Sequence, residues 1–314
     1  MRVLVLGGAG FLGRHAAAAL AARGHAVVIG SRHPARAPRR LPGMLHGCER
    51  REVRLERLLA PDAWGAPLAG VDTVVNAVGI LRERGAETYD RVHRLAPAAL
   101  AAACARRAIR LVHVSCPGLY AEAPSRFLTS KLAGERAIAA CGSNYSIVRP
   151  SLLDGDGGFG ALWFRRVARW PVHPVPAGTR ACIAAFDVRE FGEAVAALCE
   201  KRDASAWREV ELGGREVLTV AGYLAALRPA HLRPALKVTV PAWLSRVVSH
   251  LCDLIHFSPY SFGHLLVLRR DFAPEHNQLT ELLGCEPRRI GSLYTISDDH
   301  LTWTRFGAQP SSSD

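Results

Sequence analysis

The sequence predicts a doubly wound α/β fold, a parallel sheet covered by helices on both faces, followed by a smaller C-terminal lobe. Three observations carry that expectation. An apolar run at residues 2–6 leads straight into the glycine turn GGAGFLG and an alanine-rich stretch. Strand-like and helix-like segments then alternate strictly as far as Arg149-Pro150. Beyond that point the alternation breaks down into Pro- and Gly-rich sequence.

RVLVL is too short for a buried helix and suits a central strand that a parallel sheet buries on both faces. In the turn after it, Gly8, Gly10 and Gly13 read G-x-G-x-x-G, while Gly7, Gly10 and Gly13 read G-x-x-G-x-x-G. A helix is expected over residues 11–23 with Gly24 as its stop, then a second apolar run at 26–29. After an Arg- and Pro-rich loop come a strand near residues 52–55, a short helix at 61–68 and a strand at 72–76. A helix over 87–106, a strand at 110–115, a helix carrying Lys131 and a strand at 145–149 complete the series. Residues 1–150 thus read as a Rossmann domain and 151–314 as a substrate or partner lobe, with 183–202 returning to the first domain. The tail, residues 307–314, reads as disordered.

The glycine turn has a specific chemical use. Its first glycines permit a tight turn, Gly10 lets a pyrophosphate approach the backbone, and Gly13 lets the next helix pack closely on the strand. The amide groups at that helix start would bind the phosphates. A glycine turn that merely joins strand to helix is the plainer reading, but strand, turn, helix and second strand are all present here, as a dinucleotide site requires. An NAD site usually ends its second strand on a carboxylate; this chain has Gly30-Ser31-Arg32 and then Arg36. Ser31 can donate to a 2′-phosphate and Arg32 can pair with it, which favours NADP(H), with NAD(H) as second candidate and a solvated basic loop as the plain alternative.

Composition narrows the class further. The 314 residues are 49% hydrophobic and 22% charged with a formal charge of +12, yet the basic residues are almost all arginines spread along the chain. They do not alternate with aromatics in one motif, so nucleic acid is not the expected partner; an anionic cofactor or membrane surface would use the same charge. Eight scattered cysteines show no metal-ligand spacing and read as reduced thiols. The opening apolar run is too short for a signal peptide or membrane span, so a cytoplasmic protein is expected.

Several stretches together resemble the extended and atypical short-chain dehydrogenase/reductase superfamily: GGAGFLG, residues 76–79 (NAVG), Ser115 at a strand end, the Lys131 helix running on as KLAGE, and Arg149-Pro150 followed by Gly155. VNAVGILRERG, VHRLAP, RLVHVS, SKLAGERAI and FSPYSFGHLLVLRRD are most similar to the dinucleotide-binding accessory subunit of respiratory complex I and its bacterial relatives. That resemblance implies roles by position. Gly7, Gly10, Phe11 and Leu12 would contact the pyrophosphate, and Ser31 and Arg32 the adenosine ribose phosphate. Ala77, Val78 and Gly79 would lie beside the ribose near the nicotinamide, whose hydroxyls Lys131 would bind. The backbone after Pro150, at Ser151 and Leu152, would face the carboxamide, and residues 180–187 would order the lobe against the core.

The chain departs from that pattern at one decisive place. In active members of the superfamily a Tyr four residues before the Lys donates a proton, and here Phe127 stands in its place. Ser115, the partner hydroxyl, is followed by Cys116-Pro117 instead of a Ser/Thr run. Lys131 can still hold ribose hydroxyls, though a solvated lysine is the plain alternative, and Phe127 can cover the nicotinamide pocket. Tyr120, Tyr145, His93 and His113 are candidate replacements by type, with packing the expected fate of both histidines. Three functions remain open: an NADP(H)-binding protein of the accessory-subunit type with little turnover, an active oxidoreductase or nucleotide-sugar epimerase or dehydratase using another donor, and a partner- or membrane-docking scaffold.

In the C-terminal lobe, Leu244, Val247, Val248, Leu251, Leu254 and Ile255 form one helical stripe. FSPYSFGHLLVL then precedes Arg269-Arg270 and could rest on a membrane at the inner face of the cell, bind a partner protein, or close over an apolar, quinone-like small molecule. Packing against the first domain is the simpler expectation.

Overall fold

β1 (Arg2–Leu6) buries Val3 and Val5 on one face and Leu4 and Leu6 on the other, all fully, as only a strand covered on both sides can do. In the computed structural model the strands that follow are β2 (Ala26–Ser31), β3 (Glu49–Glu52), β4 (Thr73–Asn76), β5 (Arg110–Val114), β6 (Tyr145–Pro150), β7 (Leu153–Asp154), β8 (Val172–Pro176), β9 (Cys182–Ile183), β10 (Phe186–Asp187), β11 (Glu209–Leu212), β12 (Leu218–Thr219) and β13 (Leu236–Val240). The helices are α1 (Phe11–Ala22), α2 (Ala96–Arg106), α3 (Arg126–Ala140), α4 (Phe159–Ala168), α5 (Val188–Glu200), α6 (Val220–Ala226) and α7 (Leu279–Leu283). The structure describes residues 1–290 apart from 143, 156, 179–181, 202, 246 and 249–271. Most of the C-terminal helical stripe, the apolar segment before Arg269-Arg270 and the tail at 307–314 lie outside the described residues.

Seven parallel strands form the main sheet in the order β3-β2-β1-β4-β5-β6-β11. This is the doubly wound sheet that the alternation predicts. The order reverses between β1 and β4, and the crevice beyond the strand ends at that point is where such sheets bind ligands. On one face α1 packs against α5 through small residues: Ala16 to Ala19 are fully buried, and a Cβ on Gly192 would lie 2.6 Å from the His15 carbonyl oxygen. α5 starts cleanly because Asp187 caps it, accepting the Arg189 N–H at 2.8 Å. On the other face α2 and α3 cover Leu4, Leu6, Val74 and Leu111 together with the buried Trp64.

Local structure departs from the sequence reading in three places. The third strand lies at Glu49–Glu52, three residues before the expected 52–55, because its pairing with β2 and not its own apolar content fixes its position; Val53 and Leu55 go into the core from the turn beyond it. Residues 61–68 supply only a short 3-10 turn, Pro61–Trp64. The long helix at 87–106 opens as a π-helical turn, Asp90–Leu95, before α2 begins. Gly134 of α3 explains the docking against that turn, since a Cβ there would collide with the His93 carbonyl group.

Beyond β6 the chain builds a small lobe from α4, α6 and the parallel β8–β13 ribbon around Val167, Ala168, Tyr223 and Leu224. It returns to the main body first through α5 and β11, the latter on the outer edge of β6 and past residue 202, and again through α7, which packs against α5.

Candidate functional site

At the end of β1 the chain turns through Gly7 at φ +73°, and the Gly10 N–H donates to the Gly7 carbonyl at 2.7 Å. A Cβ on Gly13 would overlap the Gly7 carbonyl oxygen and stand 2.6 Å from its carbon and 2.9 Å from Gly8 Cα. Glycine is therefore a steric requirement at Gly13, and it brings the start of α1 directly over the turn. Gly10 caps α1 without any side chain covering the first turn, so its amides and the positive end of the helix dipole are open to an anion. Phe11 contributes its backbone to that turn while its ring goes elsewhere, against Gly155 and Gly158 and edge-on to His15 at 5.7 Å.

From this turn a cleft of about 320 Å³ runs between the ends of β1, β2 and β4, lined by Gly7, Gly10, Ser31, Arg36, Ala77 and Val78 among others. Ser31 Oγ is buried with no hydrogen-bond partner. Arg32 lines the cleft but is engaged by Glu87, which sequence reasoning did not find because the two are far apart in the chain. Arg36 faces the same cleft with no ion pair among the described residues, so its guanidinium is the one available to an anion beside Ser31. Glu56 was also missed; it enters the cleft from the 3-10 turn after β3.

The loop at Ala77, Val78 and Gly79 is held from beneath. Asn76 Nδ2 donates to His113 Nδ1 at 3.0 Å, and Asn76 Oδ1 accepts the Val78 N–H at 3.2 Å. Gly79 faces Lys131, with Nζ 3.9 Å from where its Cβ would be. Lys131 Nζ makes no hydrogen bond among the described residues and sits 5.8 Å from the centre of the Phe127 ring. One turn further along α3, the buried Glu135 binds Arg149 at 2.6 Å, and Arg149 also reaches Glu209 at 2.8 Å, so the lysine-bearing helix is fixed to the sheet edge.

Around Lys131 the surroundings are mostly apolar. Phe127, like Cys116, Leu119, Tyr120 and Phe272, packs against the buried Ala123 and Leu128, and it meets Tyr89 and His93 edge-on at 5.9 and 5.5 Å. Ser115 Oγ, at the end of β5, is buried and unpartnered. The Cys116 thiol is pushed up to about 11 by burial, against the opposing pull of Lys131, and is therefore protonated at neutral pH. Tyr145 lies at the start of β6, the end of the strand away from the cleft, and stacks under Arg208. Ser151 is tied into the fold: its N–H donates to Leu212 O at 2.7 Å, its hydroxyl to Phe272 O at 2.6 Å, and the same hydroxyl accepts from Ala184. Leu152 accepts from Phe186 N–H, so these two residues act first as the joint between sheet and returning segment. Pro150 ends β6 just before it. No cluster of His, Cys, Asp or Glu able to hold a metal occurs among the described residues.

Both central histidines are packed and satisfied. His93 accepts the Ile80 N–H at Nε2 (3.2 Å), donates through Nδ1 to Ser130 Oγ (3.0 Å) and stacks on Tyr89. Burial, then the Lys131 charge, then His113 holds His93 down to about 2; burial and Lys131 hold His113 down to about 3. Both rings are thus neutral in the folded chain at mildly acid pH, where an unfolded chain protonates them. The unfolded state then binds more protons, so stability is full above about pH 6.5 and falls as the pH drops toward the folded values. Urea denaturation at pH 7 and pH 5 is expected to show a loss on the order of 1–2 kcal/mol per histidine. His113→Asn should remove one histidine's share, and a stability that is flat across this interval would contradict the assignment.

The glycine turn, the open helix start and the unpartnered groups of Ser31 at the end of β2, Ser115 just past β5 and Lys131 on α3 fit a nicotinamide dinucleotide. Comparison with known proteins agrees. Residues 7–186 match the family described as NAD(P)H-binding. The chain is 29% identical over 259 residues to the ceramide reductase of Caulobacter vibrioides, across 77% of this chain and 78% of that protein. Among solved structures it is similar to a nucleoside-diphosphate-sugar epimerase from Staphylococcus aureus, with a TM-score of 0.70, 17% identity and 93% and 99% of the two chains covered. It is also similar to the UDP-glucuronic acid 4-epimerase of Bacillus cereus in complex with NAD, with a TM-score of 0.66, 15% identity and 92% and 94% covered. At such identities the likeness is one of fold.

Proposed function

Because the chain belongs to the NAD(P)H-binding family, we propose that it is an NADP(H)-dependent reductase that works without the usual tyrosine, slowly, on a carbonyl of an apolar, ceramide-like substrate. The observation that carries this reading is the set of hydrogen-bonding groups left unpaired in the site: Ser31 Oγ, Lys131 Nζ and Ser115 Oγ. A buried polar group without a partner is costly, and a ligand that supplies one relieves that cost.

NADPH supplies a hydride when bound; the remaining tasks fall to the chain. Ser31 and Arg36 hold the 2′-phosphate, the first turn of α1 holds the pyrophosphate, and Lys131 grips the ribose hydroxyls next to the nicotinamide. Phe127, Tyr120 and Leu119 exclude water and receive an apolar acyl chain. The proton for the carbonyl oxygen comes from Ser115 or from a water it positions, since Phe127 has none to give. The substrate class is supported by the apolar lining beside Lys131 and by the name of the Caulobacter relative.

One observation favours a second reading. With Phe127 in the tyrosine position, the cofactor can serve as a bound structural or redox-sensing group, as the similarity to the accessory subunit of respiratory complex I suggests. NADPH oxidation by the purified chain, with a long-chain keto-amide and a quinone as acceptors, separates the two. The reductase reading expects slow consumption with the keto-amide that Ser115→Ala lowers further. Tight NADPH binding with no consumption by any acceptor would replace it with the second reading.

A further inference from the structure

The β8–β13 ribbon has an apolar outer face on which Val172, Pro174, Leu236 and Val238 are exposed. Its register places Val172, Pro174 and Pro176 on the same side as Leu236, Val238 and Val240. On the opposite side His173 is buried, with Nε2 3.1 Å from the Ala168 carbonyl oxygen, while Lys237 and Thr239 of β13 are exposed. Leu236 is 66% exposed, Val238 41% and Val172 39%. Two tryptophans flank the ribbon in sequence, Trp170 just before β8 and Trp243 just after β13, the latter 67% exposed. An apolar face of this extent, with aromatic residues at its margins, is unusual on a protein that meets only water.

The segments that build this part of the lobe carry charge of one sign. Residues 157–186 and 217–252, which supply the ribbon, α4 and α6, contain no Asp or Glu at all and four Arg or Lys each. On α4, Leu162, Arg166 and Arg169 share one exposed stripe at i, i+4 and i+7. Arg166, Arg169, Arg233 and Lys237 are exposed and make no ion pair among the described residues.

We propose that this face rests on an anionic lipid bilayer, the ribbon and Trp243 entering the headgroup boundary and the arginines pairing with lipid phosphates. Tryptophan and arginine are the side chains suited to that depth. No helix among the described residues is long and apolar enough to cross a membrane, so the contact is one of lying on the surface. A second copy of the chain fits poorly as the occupant, because a two-fold contact through this face would bring two sets of like charges together. None of these residues lines the dinucleotide cleft, so the inference stands independently of the reductase reading.

Flotation of the full chain with phosphatidylcholine vesicles, with and without phosphatidylglycerol, tests it. The chain is expected to float with anionic vesicles and not with neutral ones, with a blue shift of its tryptophan fluorescence. R166A/R169A should weaken that binding about thirtyfold at low salt, and V238S/W243S should abolish it, both with thermal midpoints like that of the unaltered chain. Failure to bind anionic vesicles would overturn the proposal. So would equal binding to neutral ones, or a dimer on light scattering that V238S/W243S dissociates.

Discussion

Gly13→Ala is expected to remove dinucleotide binding and to lower stability by about 2–3 kcal/mol, the range for forcing an extra group into packed surroundings. The added Cβ would overlap the Gly7 carbonyl oxygen and lie 2.6 Å from its carbon. Those are backbone atoms of the turn itself, so the strain can be relieved only by lifting α1 away from β1. That movement carries the first-turn amides away from the phosphates. Gly160→Ala is the matched control: it lies in α4 with open space where its Cβ would be, and should leave binding unchanged while adding a few tenths of a kcal/mol or more to stability. Urea denaturation and NADPH titration of both variants read the two effects; a Gly13→Ala variant that binds NADPH like the unaltered protein would refute the cradle.

Phe127→Tyr is expected to raise the rate of ketone reduction roughly 10²-fold or more, the contribution typical of a positioned acid. The ring already sits 5.8 Å from Lys131 Nζ, edge-on to Tyr89 and His93, so the change adds a hydroxyl to a side chain that is already held. The neighbouring ammonium would favour the phenolate and lower the phenol's pKa toward the range useful for proton transfer. The gain should appear in kcat while KM stays close to its original value, because substrate contacts are unaltered. An unchanged rate would mean that proton supply does not limit the reaction, and the reading of Phe127 as the cause of slow turnover would fail.

The main sheet and its glycine turn were legible in the sequence because their requirements are local. Gly7, Gly10 and Gly13 are separated by fixed short steps, each demanded by backbone contacts within the same turn. The strand β1 announces itself by five consecutive residues, four of them fully buried aliphatics. Lys131 could be placed because its register on α3 follows directly from the helix that carries it. Ser31 marked the end of β2 for the same reason.

The features that stayed hidden depend on partners distant in sequence. β3 reads ERRE and carries no apolar signal, so only its pairing with β2 reveals it. The π-helical turn at Asp90–Leu95 is shaped by its contact with α3 through Gly134, which no local periodicity records. Arg32 was expected at the 2′-phosphate, but Glu87 engages it, and Arg36 is left as the available cation. Asn76 and, through His93, Tyr89 brace the loop at residues 77–80, contacts that only the folded sheet brings together. The apolar outer face of the ribbon likewise emerges only once β8 and β13 are paired in register, since each strand alone mixes apolar residues with His, Lys or Thr.

Titration calorimetry of the purified chain with NADPH and with NADH tests the central claim most directly, that the cleft beside Gly7, Ser31 and Lys131 is a dinucleotide site. The expected result is one NADPH per chain, bound at least about tenfold more tightly than NADH through the charged contacts at Ser31 and Arg36. That preference should disappear in S31A/R36A. A chain that releases no heat with either dinucleotide would contradict the account.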